Sequence, residues 1–90
     1  MPELDLVGSR EILVVEDDPL FRRLLSDGLR RHGLIVFEAE SIDTAMSHIH
    51  EHTFPLAILD LKLASGSSLT LIPELKKNSV EVRILVLTGY

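Results

Sequence analysis

Residues 11–19, EILVVEDDP, decide how this chain is built. Ile12, Leu13, Val14 and Val15 are apolar at consecutive positions, and alternate side chains of a strand point to opposite faces. Such a strand buries both faces, as in a parallel sheet with helices on either side. The run stops abruptly at Glu16, Asp17 and Asp18, and Pro19 follows with a φ already suited to a first helical turn. Asp18 is therefore read as the helix cap. The same construction recurs downstream: Leu56, Ala57, Ile58 and Leu59 lead into Asp60, and Ile84, Leu85, Val86 and Leu87 lead into Thr88 and Gly89. A more mixed segment from Leu34 to Ala39, with Glu38 near its end, predicts an edge strand.

Helical patterns fill the intervals. After Pro19, apolar residues at Phe21, Leu24, Leu25, Gly28 and Leu29 recur at helical spacing opposite Arg22, Arg23, Asp27, Arg30 and Arg31, until Gly33 ends the helix. A second helix is expected from Ser41 to about His52 on Ile42, Ala45, Met46 and Ile49. A third is expected from Ser68 to about Asn78, with an early or kinked turn because Pro73 lacks one backbone donor. Strand and helix thus alternate through four strands, which predicts an α/β, doubly wound parallel sheet.

At 90 residues the chain holds one domain with one modest core. Residues 1–10 read as an N-terminal extension and 11–90 as the domain. Fourteen acidic against nine basic side chains give a formal net charge of -5, which disfavours nucleic acid and anionic lipid as partners of this segment. There are no cysteines, so disulfides, thiolate metal sites and thiol catalysis are excluded. The first ten residues lack the basic start and apolar stretch of a signal peptide, and no apolar run reaches a membrane span, so a cytoplasmic setting is expected.

Ligands of open α/β sheets bind beyond the carboxyl ends of the strands. Glu16 and Asp17 end the first strand, Asp60 the third and Thr88 the fourth. Carboxylates forced together there repel one another, and a hard divalent cation with oxygen ligands, Mg²⁺ above all, relieves that repulsion. Asp60, at the rim before a turn containing Gly66, suits a nucleophile that attacks phosphorus in line and becomes an acyl phosphate. Thr88 could donate its hydroxyl to a phosphoryl oxygen, and Gly89 keeps the approach open.

Taken together, EILVVEDDP at 11–19, LAILDLKLASGSSL at 56–69 and RILVLTGY at 83–90 resemble the receiver domain of two-component response regulators. The stretch DLKLASGSSL with VLTGY is also similar to the branch of redox-responsive global regulators. The resemblance implies a flavodoxin-like receiver fold with strand order 2-1-3-4, the family's fifth strand and last two helices lying beyond this sequence. It implies that Asp60 is the phosphoacceptor and Thr88 the switch hydroxyl. Mg²⁺ would be held by Asp17, Asp60 and the backbone carbonyl of Lys62, with Glu16 acting through water. The implied partner is a sensor histidine kinase, and the implied role is that of a signalling phosphoacceptor rather than an enzyme acting on other molecules. The family's phosphoryl-binding Lys belongs to the fifth strand, so this chain is expected to accept phosphate poorly. Tyr90 is not the family's aromatic switch. An uncovered fourth strand predicts a homodimer through that edge.

Two rival readings differ in class. A Mg²⁺-dependent aspartyl phosphatase would need a second acid two residues after its nucleophile, where Lys62 stands. A receiver-like interaction module that is never phosphorylated would have no use for the acidic set. His48, His50 and His52 read as an exposed helix end rather than a metal site, and His32 as a last-turn residue near the helix carboxyl pole. The four arginines of the first helix read as a solvated face.

Overall fold

The computed structural model describes residues 10–88; the expected extension up to Ser9, and Gly89 and Tyr90, lie outside the described residues. Strands β1 (Glu11–Val15), β2 (Ile35–Ala39), β3 (Leu56–Asp60) and β6 (Arg83–Leu87) form one parallel sheet in the order β2-β1-β3-β6. Two short strands, β4 (Lys62–Leu63) and β5 (Gly66–Ser67), make a separate antiparallel ladder in the loop after β3. The expected fourth strand is thus β6, and the expected 2-1-3-4 arrangement of long strands is the one observed.

Helix α1 (Pro19–Arg30) begins where Asp18 Oδ1 accepts the Leu20 and Phe21 amides, with Pro19 in its first turn. It gives way to a turn at residues 31–33 in which Gly33 takes a φ of 81°, a conformation that favours glycine. His32 therefore sits just beyond the helix, in that turn. Helix α2 (Ile42–Glu51) is capped by Ser41, whose Oγ accepts the Thr44 amide. The third helical segment is divided: Ser68–Leu71 is a 3₁₀ turn, and α3 (Ile72–Asn78) follows with Pro73 in its first turn. There the missing N–H has no intrahelical partner to lose, so the proline sets where the α-helix begins instead of breaking it. Among the described residues, no helix is long and apolar enough to cross a membrane.

Strand alternation divides the core in two. Leu13, Val15, Ala57 and Leu59 meet Ala45 and Ile49 of α2 and Leu71 and Leu75 on one face. Ile12, Val14, Val36 and Ile58 meet Leu25 and Leu29 of α1 on the other. The expected apolar face of α1 needs correction: Leu25 and Leu29 pack inward, but Phe21 and Leu24 are exposed, as is Leu20. The apolar arc of the helix is wider than the sheet beneath it covers.

Two other expectations change. Arg22 is not part of a solvated face, its side chain being 16% exposed, while Arg30 is exposed as expected; both reach the Glu38 carboxylate, at 3.2 and 3.1 Å. Nor are the histidines a frayed end: His48 and His52 flank the Phe37 ring, His48 Nε2 meets the Glu38 carbonyl at 3.0 Å, and His52 Nδ1 lies 3.1 Å from Glu11 Oε1. Only His50 of the three is exposed. Burying an aromatic on the edge strand gives the imidazoles an apolar surface to lie against.

Candidate functional site

Because β3 lies between β1 and β6, the carboxyl ends of these three strands are neighbours. Asp60 is the last residue of β3 and pairs with Leu87 of β6. The Glu16 amide donates to the Ala39 carbonyl at 2.9 Å, extending the β1–β2 ladder one residue past the strand. These pairings hold Glu16, Asp17 and Asp60 so that one carboxylate oxygen from each lies within 4.8 Å of the others. An open cleft of about 730 Å³ gathers these acids with Lys62 and Thr88, and is bounded by Asp18, Phe21, Val86 and Leu87. Among the described residues, Glu16, Asp17, Asp60, Lys62 and Thr88, singled out by position, thus share one cleft.

Two like charges at such spacing repel by roughly 1 to 3 kcal/mol for effective dielectric constants between that of water and about 20. The strain is visible at Glu16, which is only 6% exposed. Burial raises its carboxyl above the ordinary value, and the Asp60 charge and hydrogen bonds with Asp17 and Asp60 raise it further, while the Asp18 amide, donating to Oε2 at 3.1 Å, opposes the rise. A hard divalent cation fits this donor set: it is all oxygen, net negative, and partly shielded from water.

The other acids are employed differently. Asp18 is exposed and caps α1, as its place before Pro19 predicts. Asp17 Oδ2 accepts the Ala64 amide at 2.8 Å, which fastens the β4–β5 loop across the acidic end of β1. The same loop is held on its far side by Ser65, whose Oγ accepts the Ile42 amide at 3.2 Å. Lys62 opens β4 in register with Ser67. Sequence reasoning did not find this fastening of the loop, nor the apolar wall of Phe21, Val86 and Leu87. Phe21 had been assigned to the core, and only its place one turn after the Asp18 cap could have put it at the cleft.

The family model described as the response regulator receiver domain matches residues 12–90. The acid tolerance regulatory protein ActR of Rhizobium meliloti is 33% identical over 89 residues, covering 98% of this chain and 46% of that protein. The chain thus spans about half the length of this relative. A response regulator from Burkholderia pseudomallei, solved with a phosphorylated aspartic acid, calcium ion and citrate, is 38% identical with a TM-score of 0.83; the match covers 89% of this chain and 47% of that one. The response regulator TrrA of Thermotoga maritima, solved in complex with Mg²⁺-BeF, is 32% identical with a TM-score of 0.78, covering 89% of this chain and 70% of that one. Sequence order, sheet topology and these likenesses agree, and the chain belongs to the response regulator receiver domain family.

Proposed function

We propose that this chain accepts a phosphoryl group on Asp60, and that Glu16, Asp17, Asp60 and the Lys62 carbonyl form the site for Mg²⁺. The observation that carries the reading is the approach of three carboxylates to within 4.8 Å at the rim of one cleft. The donor is a phosphohistidine of a sensor histidine kinase. An Asp60 oxygen attacks phosphorus as the P–N bond breaks, and the bonding pair returns to the imidazole, which takes up a proton. The ion, when bound, neutralises charge on the transferring oxygens. Glu16, Asp17, Asp60 and the Lys62 carbonyl would hold it; Thr88 donates its hydroxyl to a phosphoryl oxygen; Phe21, Val86 and Leu87 line the cleft beside them. A cytoplasmic setting suits the reaction, since kinase and Mg²⁺ are both available there.

The test uses a small-molecule phosphodonor with Mg²⁺ and intact-mass detection. Slow gain of one phosphoryl group, abolished in Asp60→Asn and by chelation, is expected; labelling that survives Asp60→Asn refutes the assignment. A second reading, homodimerisation through β6, rests on its position at the sheet edge, with Leu85 exposed. Sedimentation equilibrium would then give a concentration-dependent mass, whereas a constant monomer mass excludes it.

A further inference from the structure

We infer that Arg22 is a positioning residue for the metal-binding acids, acting through the backbone of Glu16; the inference rests on the Mg²⁺ reading above. Its Nη1 donates to the Glu16 carbonyl at 2.7 Å, while its Nε donates to Glu38 Oε1 at 3.2 Å. The side chain is 16% exposed, so the contacts are largely shielded from competing water. With the Glu16 amide already on Ala39 and its carboxylate on the Asp18 amide, Arg22 supplies a third fixed point on one residue. The peptide joining Glu16 to Asp17 is planar, so holding the Glu16 oxygen also sets the direction in which the Asp17 backbone leaves. Through that plane, a cation outside the cluster governs where the acids stand.

A purely structural role is the competing account, and the surroundings separate the two. Glu38 has a second cationic partner in Arg30 Nη2, at 3.1 Å, so loss of Arg22 does not leave Glu38 unpaired. Among the described residues, no other hydrogen bond to the Glu16 carbonyl is present. The sign of the effect is also diagnostic. If Arg22 acted only by its charge, removing a cation from beside three carboxylates would tighten Mg²⁺ binding, and positioning demands the reverse.

Three substitutions separate the possibilities. Arg22→Lys keeps the charge, but a single ammonium follows the Glu38 carboxylate in preference to a neutral carbonyl, so the Glu16 contact is lost. Arg22→Met removes both contacts and the charge. Glu38→Gln removes the ion pairs while leaving the Glu16 contact. Mg²⁺ is titrated into each chain and followed by NMR at the amides of residues 16–18 and 60–62, with thermal melts on the same samples. Arg22→Lys and Arg22→Met should each raise the Mg²⁺ Kd about tenfold, as loss of groups that orient metal ligands does. Arg22→Lys should keep nearly the parent melting temperature. Glu38→Gln should show the opposite split, with a lowered melting temperature and a Kd close to the parent's. An unchanged or tighter Kd in Arg22→Lys overturns the inference, and so decides the matter even if Arg22→Met does not fold. A parent chain without any saturable response overturns the Mg²⁺ reading itself.

Discussion

Beneath α2 and α3 the sheet presents Leu13, Val15, Ala57 and Leu59, each at most 1% exposed, whereas on the α1 side Leu85 remains 52% exposed and Leu20, Phe21 and Leu24 of the helix are exposed too. The strands are equally apolar on both faces, so composition does not produce the difference. Coverage does: among the described residues, one face is closed by two helical segments and the other by α1. Each helical layer buries a serine, Ser26 on α1 and Ser68 in the 3₁₀ turn, but Arg22, on the less filled face, is the side chain that reaches the acidic end of β1. We expect stability to be concentrated on the closed face, whereas the Arg22 contact with the site comes from the other.

The sharpest way to break this division is a pair of truncations on opposite faces. Ile49→Ala removes a side chain that is 1% exposed in the larger cluster and should cost about 3 kcal/mol in a urea melt. If it costs less than about 1 kcal/mol, the typical effect of an unremarkable substitution, the closed face is not where stability resides. Next in size is Ser26→Ala. The Ser26 hydroxyl is fully buried with no hydrogen-bond partner among the described residues, so replacing it should stabilise the chain by about 1 kcal/mol. A loss of stability instead would mean the hydroxyl is satisfied in solution.

Glu16→Gln tests the acidic rim. Burial, the Asp60 charge and hydrogen bonds with Asp17 and Asp60 raise the Glu16 carboxyl above its unfolded value of 4.5, against the Asp18 amide. The folded chain therefore holds that proton more tightly, and the stability this gives is complete below pH 4.5 and lost as pH rises through the folded value. Without Mg²⁺, Glu16→Gln should flatten this part of the pH profile and raise stability at neutral pH. An unchanged profile would show that Glu16 is not under strain. The smallest effect belongs to Leu24→Ser, on the exposed arc of α1, which should move stability by no more than about 0.5 kcal/mol. A larger loss would mean that this arc is covered in solution.

Three of the four long strands were legible because each is a short apolar run ended by an acid or a threonine, and the cleft residues followed from the ends of those runs; β2, mixed in composition, read only as an edge strand. Asp18 could be separated from Glu16 and Asp17 because a proline after it marks a cap. What escaped depends on coverage and on distant partners, which no local period records. Phe21 and Leu24 have the spacing of a core face, yet how far the sheet extends beneath them is set by tertiary structure. Arg22 looks like any charged residue on a helix until β2 brings Glu38 beside it, 16 residues away. The fastening of Ala64 by Asp17 spans 47 residues and had no signal at all.

The strand order also has a kinetic consequence. β1 is central and must find partners on both sides: Glu11 pairs with Ile35 and Ile12 with Leu56. Closing the longer of these loops costs about 0.5 kcal/mol more chain entropy than closing the shorter, by the logarithmic dependence on length. β1 with β2, tied down by α1, is therefore the cheaper pairing by chain entropy. If it forms first, the acidic end of β1 is organised against β2 before Asp60 arrives, and the electrostatic repulsion is met late, by a scaffold that already has a shape.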